Sequence, residues 1–163
     1  MKALFLAFFL FAAGSPALAK TSVPEFEFKK LPTVKLNSHD ISSLKDLHGK
    51  VVLVDFWASW CSPCKEALPH YSKLYEKYKS KGLVVIGINE DDDIAERDAF
   101  LKAMPVSFPL FFDQDKSAVA DFQVKALPTL YVFNKKLKPV AMHRGFDAKD
   151  TQALEKQIQE LLK

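Results

Sequence analysis

Residues 51–57 read Val-Val-Leu-Val-Asp-Phe-Trp, apolar at odd and even positions alike with one exception. A strand covered on both faces carries that pattern, whereas a half-exposed strand would alternate. Residues 83–88 repeat it, bounded by Gly82 before and by Asn89 and the acidic run 90–93 after. Between the two, Leu68, Tyr71, Leu74, Tyr75 and Tyr78 recur every three or four positions and predict a helix over 65–78. Pro69 lies inside it and is expected to kink it, because it lacks a backbone donor and crowds the carbonyl four residues back.

Further along, a helix is predicted over 94–104, ended before Pro105, then a short strand over 108–112 and a short helix over 117–122. Strands follow at 130–133 and 138–143. A closing amphipathic helix carries Leu154, Ile158, Leu161 and Leu162, with Asp147 or Asp150 as its cap. Upstream, residues 26–28 and 33–36 read as short strands around the break Lys30-Leu31-Pro32, and 42–47 as a helical turn. The order predicts an α/β domain with a mixed sheet. With no repeat, low-complexity tract or long linker, residues 20–163 read as one domain.

The first nineteen residues differ from the rest. Lys2 supplies a positive start, residues 3–13 form an unbroken apolar run, and Gly14 and Pro16 break it before Ala17-Leu18-Ala19. That is the layout of a secretory signal with cleavage after Ala19, and it predicts an exported, periplasmic protein. An uncleaved anchor is the alternative, but the run falls well short of the roughly 20 apolar residues that span a bilayer as a helix.

Composition changes this picture little. A 163-residue chain with 48% hydrophobic and 26% charged residues suits a single globular domain with a sizeable core. The 23 basic and 20 acidic residues are scattered, so no nucleic-acid footprint stands out, and a monomer is expected.

The chemistry lies in Trp60-Cys61-Ser62-Pro63-Cys64, where the first buried strand gives way to a helix. An exported protein favours disulfides, yet a bridge across so short a loop removes little unfolded-chain entropy, so a reactive pair explains it better than a staple. A cysteine at a helix N-terminus sits beside unpaired N–H groups and the positive end of the helix dipole, which stabilise its thiolate. Cys61 is therefore the expected attacking sulfur. Cys64, one turn in on the same face and less accessible, is the resolving one, and Pro63 suits a first turn where an absent N–H costs nothing. The competing reading of half a zinc site fails on ligands, because zinc needs four, no second cysteine pair exists and the four histidines are scattered. No metal and no cofactor beyond the cysteine pair are expected.

Asp55 is the exception in the buried strand. An ionised carboxylate is costly to bury, so this residue is expected either near water or protonated with a raised pKa, where it would accept the proton of Cys64 during exchange. The plain alternative is a solvated aspartate. Leu127-Pro128-Thr129 precedes a strand, and from base rates its X-Pro bond would be trans.

With these residues in view, the chain resembles the thioredoxin superfamily, and within it the TlpA/ResA/CcmG-like group of exported thiol-disulfide oxidoreductases. The resemblance runs through residues 44–66, Leu68-Pro69, residues 84–89, Phe108-Pro109 with Asp113, and Leu127-Pro128-Thr129. It implies a thioredoxin-like fold, a central mixed sheet flanked by helices, with the 26–36 hairpin as an N-terminal extension. It further implies a cis peptide before Pro128 opposite the cysteines, with the backbone of Ala126 and Leu127 offered to an extended partner segment. Trp60, with Ser62, Pro63 and Pro128, would form the partner-binding surface, and Trp57 would shape it or pack in the core. The partners implied are disulfide-bearing proteins, for instance apocytochrome c before haem attachment, and a membrane thiol donor of electrons.

Three positions depart from the group's pattern. Ala67 stands where many relatives have glutamate, and Glu66 is one place early, a rotation of about 100° on a helix. Asp55 replaces a common asparagine. Lys125-Ala126 replaces a glycine-bearing turn. Rival readings are a disulfide-forming oxidant or isomerase on the same scaffold, and a non-catalytic copper-binding or redox-sensing module. A peroxidase reading lacks the threonine expected three residues before Cys61.

Overall fold

The computed structural model describes residues 44–163. The expected signal segment and the 26–36 hairpin lie outside the described residues.

The doubly apolar pattern at 51–57 forms β1 (Val51–Trp57), in which every residue is buried. Its even positions Val52, Val54 and Phe56 face one layer, and Val51, Leu53 and Trp57 face the other. Each such aliphatic side chain taken out of water contributes roughly 1.5–3 kcal/mol, which is why this strand sits at the centre. It pairs in parallel with β2 (Leu83–Asn89) and antiparallel with β4 (Thr129–Phe133). β3 (Leu110–Phe112) extends the β2 edge in parallel and β5 (Pro139–Arg144) the β4 edge antiparallel. The five-stranded mixed sheet has the order β3-β2-β1-β4-β5.

On one face, α1 (Ser62–Tyr78) and α4 (Thr151–Leu162) press Leu68, Tyr71, Leu74, Leu154 and Ile158 onto Val51, Leu53, Leu130 and Val132. α2 (Ile94–Ala103) has no fully buried residue and contributes Phe100 and Leu101 at the margin of that layer. On the other face, Phe122 at the end of α3 (Ser117–Asp121) packs against Phe56, Tyr131 and Phe133. Leu44 and Leu47 of a 3₁₀ turn close the same side.

Differences from the sequence expectations are local. α1 begins at Ser62 rather than at 65, because Cys61 serves as its N-cap and Pro63 occupies the first turn. It runs on through Pro69 to Tyr78. β3 is shorter than expected, since Pro109 has no N–H to give a ladder; its carbonyl instead accepts from the Gly87 N–H at 2.9 Å. Of the two candidate caps, Asp147 accepts from the Lys149 N–H at 2.9 Å and starts a 3₁₀ turn that leads into α4, while Asp150 makes no side-chain capping bond. Among the described residues no helix is long and apolar enough to cross a membrane.

Candidate active site

β1 ends at Trp57, and the turn Ala58-Ser59-Trp60 carries the chain to the head of α1. A backbone bond from Cys61 N–H to the Ala58 carbonyl closes it at 3.2 Å. Cys61 has extended backbone angles, and its sulfur accepts from the Cys64 N–H at 3.3 Å, one of the amides that a helix start leaves unpaired. The two cysteines are joined as a disulfide with their Cα atoms 5.3 Å apart. Cys61 retains 5% exposure and Cys64 none, so of the two residues Cys61 is the one with surface open to solvent.

Trp60, 65% exposed, is a large apolar surface residue next to Cys61 in the chain, with Ser62 and Pro63 also exposed. Trp57 has the other fate: it is wholly buried and packs on Phe100, with ring centroids 5.4 Å apart. The Leu127–Pro128 bond is cis. Phe56 pairs with Thr129 in the antiparallel register, which puts Pro128 at the end of β4 that meets the β1 exit, the end from which the cysteines project. Leu127 packs against the cluster that holds both cysteines, and Ala126 is exposed. One lone pair of the Ala126 carbonyl is engaged by the Thr129 hydroxyl at 2.7 Å.

Asp55 is fully buried, and neither carboxyl oxygen has a hydrogen-bond partner among the described residues. Its neighbours at period two, Leu53 and Trp57, belong to the layer that contains Cys64, so its side chain lies on the cysteine face under α1. Burial alone raises its pKa well above the ordinary carboxylate value. The solvated-aspartate alternative is thereby set aside. Tyr71 on α1 feels this group: its phenol is pushed up, first by burial and then by the Asp55 charge. Ala67, at the position of the group's glutamate, is wholly buried, while Glu66 points outward; no second carboxylate replaces the missing one at that position.

A second set of residues was not singled out in the sequence. Asp91, 1% exposed, accepts from the Ser59 N–H at 3.0 Å, from the Ser59 hydroxyl at 2.8 Å and from the Asn89 amide at 2.6 Å. This carboxylate ties the end of β2 to the turn before Cys61. Beside it, the Glu90 N–H donates to the Trp57 carbonyl at 2.8 Å. Burial first, and the Asp113 carboxylate second, push the Glu90 pKa up to about 8 against the pull of Lys116. The only sequence signal was an acidic run starting straight after a buried strand, where the first residues cannot all reach water.

Comparison with known proteins agrees with this geometry. The AhpC/TSA family profile matches residues 20–140. The chain is 35% identical over 107 residues to a thiol-disulfide oxidoreductase ResA of Bacillus cereus, covering 66% of this chain and 62% of that relative. The chain thus spans less than two thirds of that relative's length. A crystal structure from Chlorobium tepidum, assigned as a thiol:disulfide interchange protein DsbE, superposes with a TM-score of 0.71 at 37% identity over 74% of this chain and 85% of that one. A solution structure from Bacteroides thetaiotaomicron, assigned as a protein disulfide isomerase, gives 0.72 at 28% identity over 82% and 86%.

Proposed function

The chain belongs to the AhpC/TSA family, and from its site we propose that it is a thiol-disulfide oxidoreductase that reduces protein disulfides through Cys61 and Cys64. The observation that carries the reading is the asymmetry of the pair: Cys61 caps a helix start and keeps some exposure next to an exposed tryptophan, while Cys64 is wholly buried.

In the reduced protein, the Cys61 thiolate attacks a partner disulfide, forms a mixed disulfide and releases one partner thiolate. The Cys64 thiol then gives its proton to the Asp55 carboxylate and attacks the Cys61 sulfur. The Cys61–Cys64 bond forms, the mixed disulfide breaks, and the second partner thiolate leaves. The partner has gained two electrons and this chain has lost them. Run backwards, a protonated Asp55 supplies the departing Cys64 sulfur with its proton when the bridge is reduced. Trp60, Ser62, Pro63 and the backbone at Ala126, Leu127 and Pro128 line the place where an extended partner segment would lie.

Residues 2–19 support action outside the cytoplasm, where a membrane thiol donor would have to recharge the pair. Target cysteines kept reduced there, such as those of apocytochrome c, are the substrates this reading favours. In an insulin reduction assay the Cys61→Ser variant should lose activity; activity at the wild-type level would end the proposal. A Cys64→Ser variant should accumulate mixed disulfides, and mass spectrometry of those adducts names the partners.

A further inference from the structure

Asp55 creates a problem for its own role. It is buried without a hydrogen-bond partner among the described residues, yet in the proposed mechanism it must gain or lose a proton whenever the redox state of the pair changes. An isolated carboxylate in such a place is costly, so a path to water is needed.

The sheet register supplies one. Asp55 pairs with Leu130, and Leu130 pairs with His143, so the three form a row across β1, β4 and β5 with side chains on the same face. Two inter-strand steps separate Asp55 from His143 by about 10 Å. Between β5 and α4 a cavity of about 500 Å³ is lined by Tyr71, Leu130, His143 and Leu154. Tyr71 is common to both ends: it borders the cavity and packs in the buried layer of Leu53, Trp57 and Leu130 that Asp55 faces. The Nε2 atom of His143 is buried without a hydrogen-bond partner among the described residues, although the ring as a whole is only half-buried. An unpaired ring nitrogen at a cavity wall is unusual for a histidine that merely packs.

We propose that Asp55 exchanges its proton with solvent through this cavity, by way of the Tyr71 hydroxyl and cavity water, with the His143 imidazole as the group that passes it outward. The inference rests on the role of Asp55 proposed above. The proton leaves the Asp55 carboxyl, passes by way of the Tyr71 hydroxyl and cavity water, and binds His143 Nε2. The imidazolium then releases a proton to bulk water. Re-protonation runs the same path in reverse.

His143 is suited to the task in charge as well as place. Burial lowers its pKa, against upward pulls from Gln157 and Asp150, so the ring is neutral and able to accept near neutrality. The groups around it are Tyr71 on α1, Asp147 and Asp150 before α4, Gln157 on α4, and Arg144 beside it on β5.

Single-turnover oxidation of the reduced protein by a small chromogenic disulfide separates two phases, attack by Cys61 and resolution by Cys64. In His143→Ala the first phase should keep its rate while the second slows about tenfold at pH 7, a size within the range of general acid-base effects. Added imidazole should restore it, which repair of a merely structural defect would not do. His143→Asn, polar but unable to titrate near pH 7, should behave the same way if the alanine variant folds poorly. If Asp55→Asn slows resolution while both His143 variants resolve at the wild-type rate, the relay is wrong and the role of Asp55 stands. If Asp55→Asn also leaves resolution unchanged, that role fails and the relay with it.

Discussion

At the scale of single residues, two buried carboxylates stand in opposite situations. Asp91 is fully bonded and holds the turn before Cys61 by its donors at Ser59. Asp55 has no hydrogen-bond partner among the described residues, and in the proposed mechanism it takes the proton of Cys64. Asp91→Ala would leave the buried Ser59 amide without its acceptor, at a cost of about 1–3 kcal/mol. Urea unfolding should show that loss, and thiol alkylation should show altered reactivity of Cys61 as the turn loosens. Unchanged stability would mean that Ser59 finds another acceptor. Asp55 stood out in the sequence because it broke an apolar run, whereas Asp91 was hidden in a run of four acids. A linear pattern does not tell which member of such a run turns inward. The register that puts β2 beside β1 decides it.

At the scale of elements, the strands and helices were legible because their apolar periods are strong. β1 and β2 are apolar on both faces and α1 repeats its core residues at helical spacing. The ends of elements were less legible, since they are set by tertiary contacts. The start of α1 moved to Ser62 because Cys61 caps it, and β3 was trimmed at Pro109. The parallel pairing of β1 with β2 also places Gly87 where the sequence gives no hint of crowding. A Cβ there would lie 2.6 Å from Leu110 Cδ2, 3.0 Å from Phe108 Cε2 and 3.1 Å from the Trp57 indole nitrogen. Gly87→Ala should therefore destabilise the protein by about 1–3 kcal/mol through overpacking, read as a lowered thermal midpoint. A midpoint equal to wild type would show that Leu110 can move aside freely. The cis bond at Pro128 was implied by family resemblance alone, for nothing in local sequence overrides the trans preference.

At the scale of the whole molecule, two buried acids, Glu90 and Asp55, make stability depend on pH. Glu90, ordinarily at 4.5, is raised to about 8, and Asp55 is raised from 3.8. In the window between ordinary and raised values the folded chain holds protons that the unfolded chain has released. Their contribution is complete below the ordinary values and is lost as pH rises through the raised ones. The urea midpoint of the oxidised protein should fall between pH 5 and pH 8, and Asp55→Asn or Glu90→Gln should each flatten the slope; a midpoint that rises over this window would contradict the burial of both groups.

The proposed function requires unequal thiols, one activated and reachable and the other enclosed. Its most direct test is the pH dependence of alkylation of the reduced protein, with each cysteine followed separately by mass spectrometry. Cys61 should react with an apparent pKa below the free-cysteine value of about 8.5, and Cys64 should stay unlabelled until the protein unfolds. Labelling of both thiols at equal rates, with the acidity of free cysteine, would contradict it.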